Sequence, residues 1–247
     1  LAALAPDGAE VARSRLAADR TALALLVKKG LLTCIEREVA PGPVTGGAQF
    51  RLPTLSAAQR KAAEEIRAVF ADRATVLLRG VTGSGKTEIY MHFAAEVLAR
   101  GGQVLLLVPE IALTPQMLRR FTAQFGSDVA MLHSALPLTE RYDQWKRIRR
   151  GEVRVVLGTR SAVFAPLQNL GLIILDEEQE TSYQSENPPR YHARDVAQFR
   201  CAQNDALLLL GSATPTVETM YYAREGRYQV FPLYRRYNEK ALPEVFI

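Results

Sequence analysis

Eight consecutive residues, Gly80-Val-Thr-Gly-Ser-Gly-Lys-Thr87, combine three glycines with a lysine and two hydroxyl side chains ahead of it and one behind. Gly83 and Gly85 let a backbone curl until its N–H groups converge on an anion, with Gly80, Thr82 and Ser84 completing the loop. Lys86 would then reach the outer phosphates of ATP, and Thr87 would offer its hydroxyl to magnesium. With the site empty, Lys86 is expected to be exposed. The alternative is a tight glycine turn with a chance Lys-Thr. It is disfavoured by context, because an apolar run precedes the loop and a helical pattern follows it, and a helix N-terminus favours an anion. A second string, Leu172-Ile-Ile-Leu-Asp-Glu-Glu-Gln179, ends an apolar run in carboxylates. Asp176 could hold the magnesium through water, and Glu177 could orient and deprotonate an attacking water. A solvent-facing acidic strand end is the bland reading. A third string, Gly211-Ser-Ala-Thr-Pro215, again follows an apolar run. Its small hydroxyls could bond the acidic string and relay nucleotide state.

The elements that must position these groups alternate in kind. Helical spacing is expected over Ala57 to Phe70, with Ala62, Ile66, Val69 and Phe70 inward, and over Lys86 to Ala99, stopped by Gly101. Further helices are expected at Thr114 to Phe125, Leu138 to Arg150 and Ala193 to Gln203. Short apolar strands are expected at Thr75 to Leu78, Gln103 to Val108, Val129 to Leu132, Val153 to Leu157, Leu172 to Leu175 and Ala206 to Leu210. Apolar strands separated by helices predict an α/β fold, a parallel sheet with helices on both faces. Ligands of such sheets sit at the carboxyl ends of strands, where all three strings fall. Ahead of this, Gly8 to Leu16 and Arg20 to Lys29 read as helices and Leu32 to Val39 as a strand, the tail of a winged-helix pattern. Residues 40–48 are rich in breakers and read as a wing tip or linker.

A chain of 247 residues allows one substantial core and a small second domain. It starts with Leu1 and is expected to be a piece of a longer protein. No apolar run approaches the ~20 residues of a membrane span. Cys34 and Cys201 show no metal spacing and suit two free thiols in a reducing cytoplasm. The net charge is +5, and the cations cluster at Lys28-Lys29, at Arg119-Arg120 and at Lys146, Arg147, Arg149 and Arg150. Clustered cations attract a phosphate backbone, although a solvated helix face explains each cluster taken alone.

A glycine loop, then Asp-Glu, then Ser-Ala-Thr is the order that superfamily 2 helicases carry in their first motor lobe. More specifically, the chain resembles the bacterial primosomal replication-restart helicases. The resemblance runs through residues 55–59, 79–88, 108–116, 158–162, Asp176-Glu-Glu178, Arg190-Tyr-His-Ala-Arg-Asp195 and residues 211–218. Val27-Lys-Lys-Gly-Leu-Leu32 resembles that family's winged helix. It implies a RecA-like lobe over residues 51–230, a partial winged-helix domain and linker over 1–50, and over 231–247 the start of a connection to a second lobe. A zinc region, a DNA-end-binding domain and the second lobe's arginines would lie outside this chain.

The same resemblance implies roles. Gln59 would contact adenine. Pro109, Glu110 and Thr114 would grip a DNA backbone, with Thr114 as a helix N-cap the local alternative. Thr159 and Arg160, with Gly158, would add a strand contact. Tyr183, Arg190, Tyr191 and Arg194 would belong to an aromatic-rich loop coupling single-stranded DNA to ATP hydrolysis. Rings stack on bases and arginines add charge, although Tyr183 and Tyr191 could instead pack on the sheet. Gln179 stands where the family carries His, and Asn187-Pro-Pro189 stands where a Trp is common. Gln179 could still couple to Ser212 or Thr214, since an amide both donates and accepts. The activity implied is 3′→5′ unwinding of forked DNA in replication restart, with primosome proteins and single-strand binding protein as partners. A repair or restriction translocase, a non-catalytic nucleotide- and DNA-docking module and a kinase are the rival readings. The Ser-Ala-Thr string and Asp-Glu pair count against a kinase.

Overall fold

The computed structural model describes residues 25–31, 52–70, 75–112, 115–234 and 236. The chain divides into two units, Leu1–Thr45 and Gly46–Ile247. In the first, residues 25–28 are helical, and the turn closes with Gly30 N–H donating to the Val27 carbonyl. The rest of the expected winged helix and the 40–48 linker lie outside the described residues.

The second unit is built on seven strands, all parallel, in the order β3-β4-β2-β5-β6-β1-β7. In chain order the elements are α1 (Ala57–Phe70), β1 (Thr75–Gly80), α2 (Lys86–Ala99), β2 (Gln103–Leu107), α3 (Pro115–Phe125), β3 (Val129–Leu132), α4 (Leu138–Arg149) and β4 (Val155–Gly158). They continue with β5 (Leu170–Leu175), α5 (Ala193–Asn204), β6 (Leu207–Ser212), α6 (Val217–Arg224) and β7 (Tyr228–Leu233). The central strands are apolar along most of their length because both faces are covered. Val104 and Leu106 of β2 point into one core with Phe93, Phe121 and Ile66, while Leu105 and Leu107 point into the other with Ile173, Ala197 and Tyr183. This period of two assigns each side chain to a face. Truncating Leu106 to Ala would cost about 2–5 kcal/mol, the usual range for a fully buried leucine.

The expected α/β class holds. Two elements were not expected. β7 alternates buried and exposed residues and contains Pro232, features that weaken a strand signal. It stands at the sheet's edge and pairs with β1 through Leu233, so it runs past residue 230. Proline is tolerated on such an edge. α6 is only eight residues, opened by Thr216, whose Oγ accepts from Thr219 N–H at 3.2 Å. Cys201 is a buried free thiol pushed up to about 12 by burial, and so stays protonated. Among the described residues, no helix is long and apolar enough to cross a membrane.

Candidate active site

β1 ends at Gly80, and the chain turns through Thr82 and Gly83 into α2. Gly83 and Gly85 sit at φ 79° and 81°, the left-handed region that an L side chain enters only with strain. A Cβ on Gly85 would also lie 2.1 Å from Gln59 Nε2. Gly85 is the N-cap of α2 and no side chain caps the helix there, so its first N–H groups face the loop without a side-chain partner. Ser84 Oγ is buried and also lacks a hydrogen-bond partner. Orphaned donors at a positive helix end fit an anionic ligand such as a nucleotide's phosphates.

Lys86 corrects one expectation. It is not exposed: 7% of its surface is accessible. Nζ donates to the Gly80 carbonyl at 2.9 Å and lies 3.6 Å from Glu177 Oε1. A buried ammonium needs such partners, and the loop and the acidic strand end supply them. Gln59 is likewise engaged. Its Oε1 accepts from Ser56 N–H, and its amide NH2 donates to the Ser84 and Gly85 carbonyls, each at 3.1 Å. In this state it braces the glycine loop, and contact with adenine would require it to turn.

The acidic string lies at the end of β5, which pairs with β2 and β6. Asp176 Oδ1 accepts from Tyr90 Oη at 2.8 Å. Tyr90 follows Thr87 by three residues and so shares its helical face, which brings Thr87 toward the same strand end. Gly211 makes room for this contact, since a Cβ there would sit 1.7 Å from Tyr90 Oη. Burial pushes the Asp176 carboxyl above its ordinary range; the Tyr90 hydrogen bond opposes the rise, Glu177 adds to it and Lys86 opposes it. A divalent cation would supply the counter-charge this carboxylate lacks. No group of three His, Cys, Asp or Glu residues among those described could hold a metal. One hydroxyl and one carboxylate suit magnesium, which takes few protein ligands and completes its shell with phosphate oxygens and water.

Glu177 sits at φ 47°, which costs a non-glycine residue about 1–2 kcal/mol. Its Oε2 accepts from Gln179 Nε2 at 2.9 Å, and Gln179 Oε1 accepts from Ser212 Oγ at 2.5 Å. Ser212 Oγ in turn accepts from Thr214 N–H at 3.0 Å. Gln179 thus bridges Glu177 to the Ser-Ala-Thr loop, as an amide in place of an imidazole can.

The residues expected on DNA divide. Glu110 is exposed and accepts from Ser134 Oγ; Pro109 is buried; Thr114 lies outside the described residues. Thr159 is buried and its N–H donates to the Leu132 carbonyl. Arg160 donates to the Ser182 and Gln184 carbonyls at 3.1 and 2.5 Å, so its guanidinium braces the loop after β5. Two expectations are overturned. Tyr183 is not on a DNA face: it is fully buried in the core, and its Oη donates to the Asp176 carbonyl at 2.6 Å. Burial, then the nearby Asp176 charge, raises the Tyr183 pKa and keeps the hydroxyl a donor. Arg194 is buried beside Glu178, where its charge faces a carboxylate rather than solvent. Arg190 is exposed on the tip of this loop. Half-buried Tyr191 packs edge-on against Phe164 at 4.9 Å. The loop's base is pinched by a Gln184–His192 bridge and by Ser185 N–H donating to the Tyr191 carbonyl.

Two of the cationic clusters take ordinary surface partners. Arg120 pairs with Glu88 at 2.5 Å, and Lys146 and Arg149 lie over the Tyr142 and Trp145 rings. Sequence reasoning missed Tyr90, Glu178 and Arg236. Helical spacing from Lys86 could have found Tyr90. Nothing local pointed to Arg236, whose Cγ lies 4.0 Å from where a Gly83 Cβ would stand.

Comparison with known proteins agrees with this geometry. Residues 56–221 match the DEAD/DEAH box helicase family. The chain is 45% identical over 250 residues to replication restart protein PriA of Bacillus subtilis, covering 97% of this chain and 31% of that protein. It is 49% identical over 191 residues to the PriA of Treponema pallidum, covering 77% and 29%. The chain therefore spans less than a third of the length of these relatives. Among solved structures, RecG bound to a three-way DNA junction superposes with TM-score 0.54 at 27% identity, over 73% of this chain and 24% of RecG. The helicase domain of Pyrococcus furiosus Hef, at 23% identity and TM-score 0.50, shares the fold. With its parallel sheet, glycine loop and acidic strand end in this order, the chain belongs to the DEAD/DEAH box helicases, and its similar relatives within them are replication restart proteins.

Proposed function

We propose that this chain is the ATP-binding first lobe of a DNA helicase acting in replication restart, moving 3′→5′ on forked and single-stranded DNA. The observation that carries the proposal is the meeting of two strand ends: Lys86, from the glycine loop, lies 3.6 Å from Glu177 of the acidic string. ATP is the substrate. Magnesium, held by Thr87 and Asp176, would neutralise phosphate charge. Lys86 would exchange Glu177 and the Gly80 carbonyl for outer phosphate oxygens. That exchange frees Glu177 to take a proton from the attacking water. The chain Glu177–Gln179–Ser212–Thr214 would carry the change toward the Ser-Ala-Thr loop. By family likeness the partners are primosome proteins and single-strand binding protein, the location is cytoplasmic, and zinc belongs to a part of the parent protein outside this chain.

Lys86→Ala tests the site. A hydrogen bond to a charged group is worth about 1.5–3 kcal/mol, so affinity for a fluorescent ATP analogue should fall about 10–100-fold. Because Lys86 is buried and bonded, a modest fall in Tm is expected as well. Equal affinity in a folded variant would remove the nucleotide assignment.

Tyr191 and Arg190 are the loop residues left to meet a DNA strand. Stacking contributes about 1–3 kcal/mol per base. In the full-length protein, Tyr191→Ala should lose DNA stimulation of ATP hydrolysis while basal hydrolysis persists. Full stimulation at saturating single strand would assign Tyr191 to packing against Phe164 alone.

A further inference from the structure

Glu177 holds a left-handed backbone without being glycine. Such a conformation persists only where neighbours over-determine it. Asp176 N–H donates to the Leu107 carbonyl on one side, and Glu178 N–H to the Gly211 carbonyl at 3.0 Å on the other. Glu178 adds a second anchor. Its carboxylate is fully buried, Oε1 accepts from Thr216 N–H at 2.8 Å, and Oε2 accepts from Thr219 Oγ at 3.0 Å. Arg194 NH1 stands 3.7 Å from the same Oε2 and donates to Thr219 Oγ at 3.1 Å. Glu218 and Asp195 lie 3.6 and 3.7 Å from other nitrogens of that guanidinium. The pair thus joins the residue beside Glu177 to α5 and to α6. The first turn of α5 follows the loop tip that carries Arg190 and Tyr191, and its N-cap is His192, whose Nδ1 accepts from Arg194 N–H.

We infer that Arg194 is a positioning residue for hydrolysis: through Glu178 it pins the backbone that aims the Glu177 carboxylate, and it ties that aim to the base of the exposed loop. The inference rests on the proposed reading of Glu177 as the group that activates water. Removing one partner of a buried ion pair is far more disruptive than its net worth suggests. Without the guanidinium the Glu178 side chain loses the contact that fixes it against α5, which loosens its bonds to Thr216 and Thr219 and releases Glu177 from φ 47°. The glycine loop stands between β1 and α2, and Lys86 touches Glu177 but is held independently by the Gly80 carbonyl, so nucleotide affinity is spared. The signature is a fall in kcat at unchanged affinity. A merely structural role would lower both together with Tm.

The experiment uses the full-length protein. Arg194→Met, Arg194→Lys and Thr219→Val are compared for ATP turnover, for affinity toward a fluorescent ATP analogue and for Tm. Thr219→Val keeps the ion pair and the side-chain shape but deletes the hydroxyl between Arg194 and Glu178, so it carries the test if Arg194→Met does not fold. Turnover should fall at least about tenfold in Arg194→Met and less in Arg194→Lys, with affinity within about twofold for every folded variant. Thr219→Val should show the same split at smaller amplitude. Unchanged kcat in the folded variants, or kcat and affinity falling in step with Tm, overturns the inference. If the unsubstituted protein binds no nucleotide, the proposed function falls and this inference with it. If it binds and hydrolyses ATP while the variants keep full turnover, this inference alone falls.

Discussion

Residues 1–247 alone should release phosphate from ATP about 10³–10⁵-fold more slowly than the full-length protein stimulated by DNA, the range an arginine acting on the transferred phosphoryl group contributes in related enzymes. On the proposed reading this lobe would supply Lys86, Thr87, Asp176 and Glu177, enough to bind Mg-ATP and orient a water. The local arginines are committed elsewhere. Arg160 is held by the Ser182 and Gln184 carbonyls, and Arg194 faces Glu178 inside the core. Arg236 comes near Gly83, on the glycine loop itself. In two-lobed motors the missing charge comes from the second lobe as it closes. Unwinding should be absent for the same reason, since translocation needs two lobes moving on one strand. Steady-state phosphate release with and without single-stranded DNA, measured for both proteins, checks this. Comparable DNA-stimulated turnover by the short chain would show a complete catalytic apparatus here and sink the half-site reading.

Glu177→Gln should lower kcat in the full-length protein about 10²–10⁴-fold, the usual worth of a positioned general base. Gln can still accept from Gln179, so the bridge to Ser212 survives while proton uptake is lost. Affinity for an ATP analogue should hold or rise, because Lys86 no longer has a carboxylate 3.6 Å away competing with phosphate oxygens. Turnover and analogue binding measured side by side distinguish the outcomes. A variant that keeps turnover within about threefold of the parent would move water activation to another group. One that loses affinity and turnover equally would make Glu177 a binding residue.

Local chemistry was enough to find the glycine loop, the acidic strand end and the α/β alternation. A glycine loop between an apolar strand and a helix states its geometry within a dozen residues. Continuous apolar runs such as residues 104–108 and 207–210 admit little besides strands covered on both faces. The edge strand β7 escaped because pairing on one side only leaves it half exposed and able to carry Pro232. The direction of polar side chains was not written locally. Tyr183, Arg190, Tyr191 and Arg194 form an aromatic and basic run that reads as one nucleic-acid surface. Whether each faces inward depends on partners far along the chain, and Arg194 is neutralised by Glu178 and bonded to Thr219, 25 residues on. Lys86 was expected in solvent for the same reason. The carboxylate that covers it comes from another strand, 91 residues later in the sequence. Burying a charge is tolerable only where an opposite charge or hydrogen-bond acceptor arrives with it. That coincidence is decided by the packing of β1, β5 and β6 side by side, and no stretch of the sequence contains it.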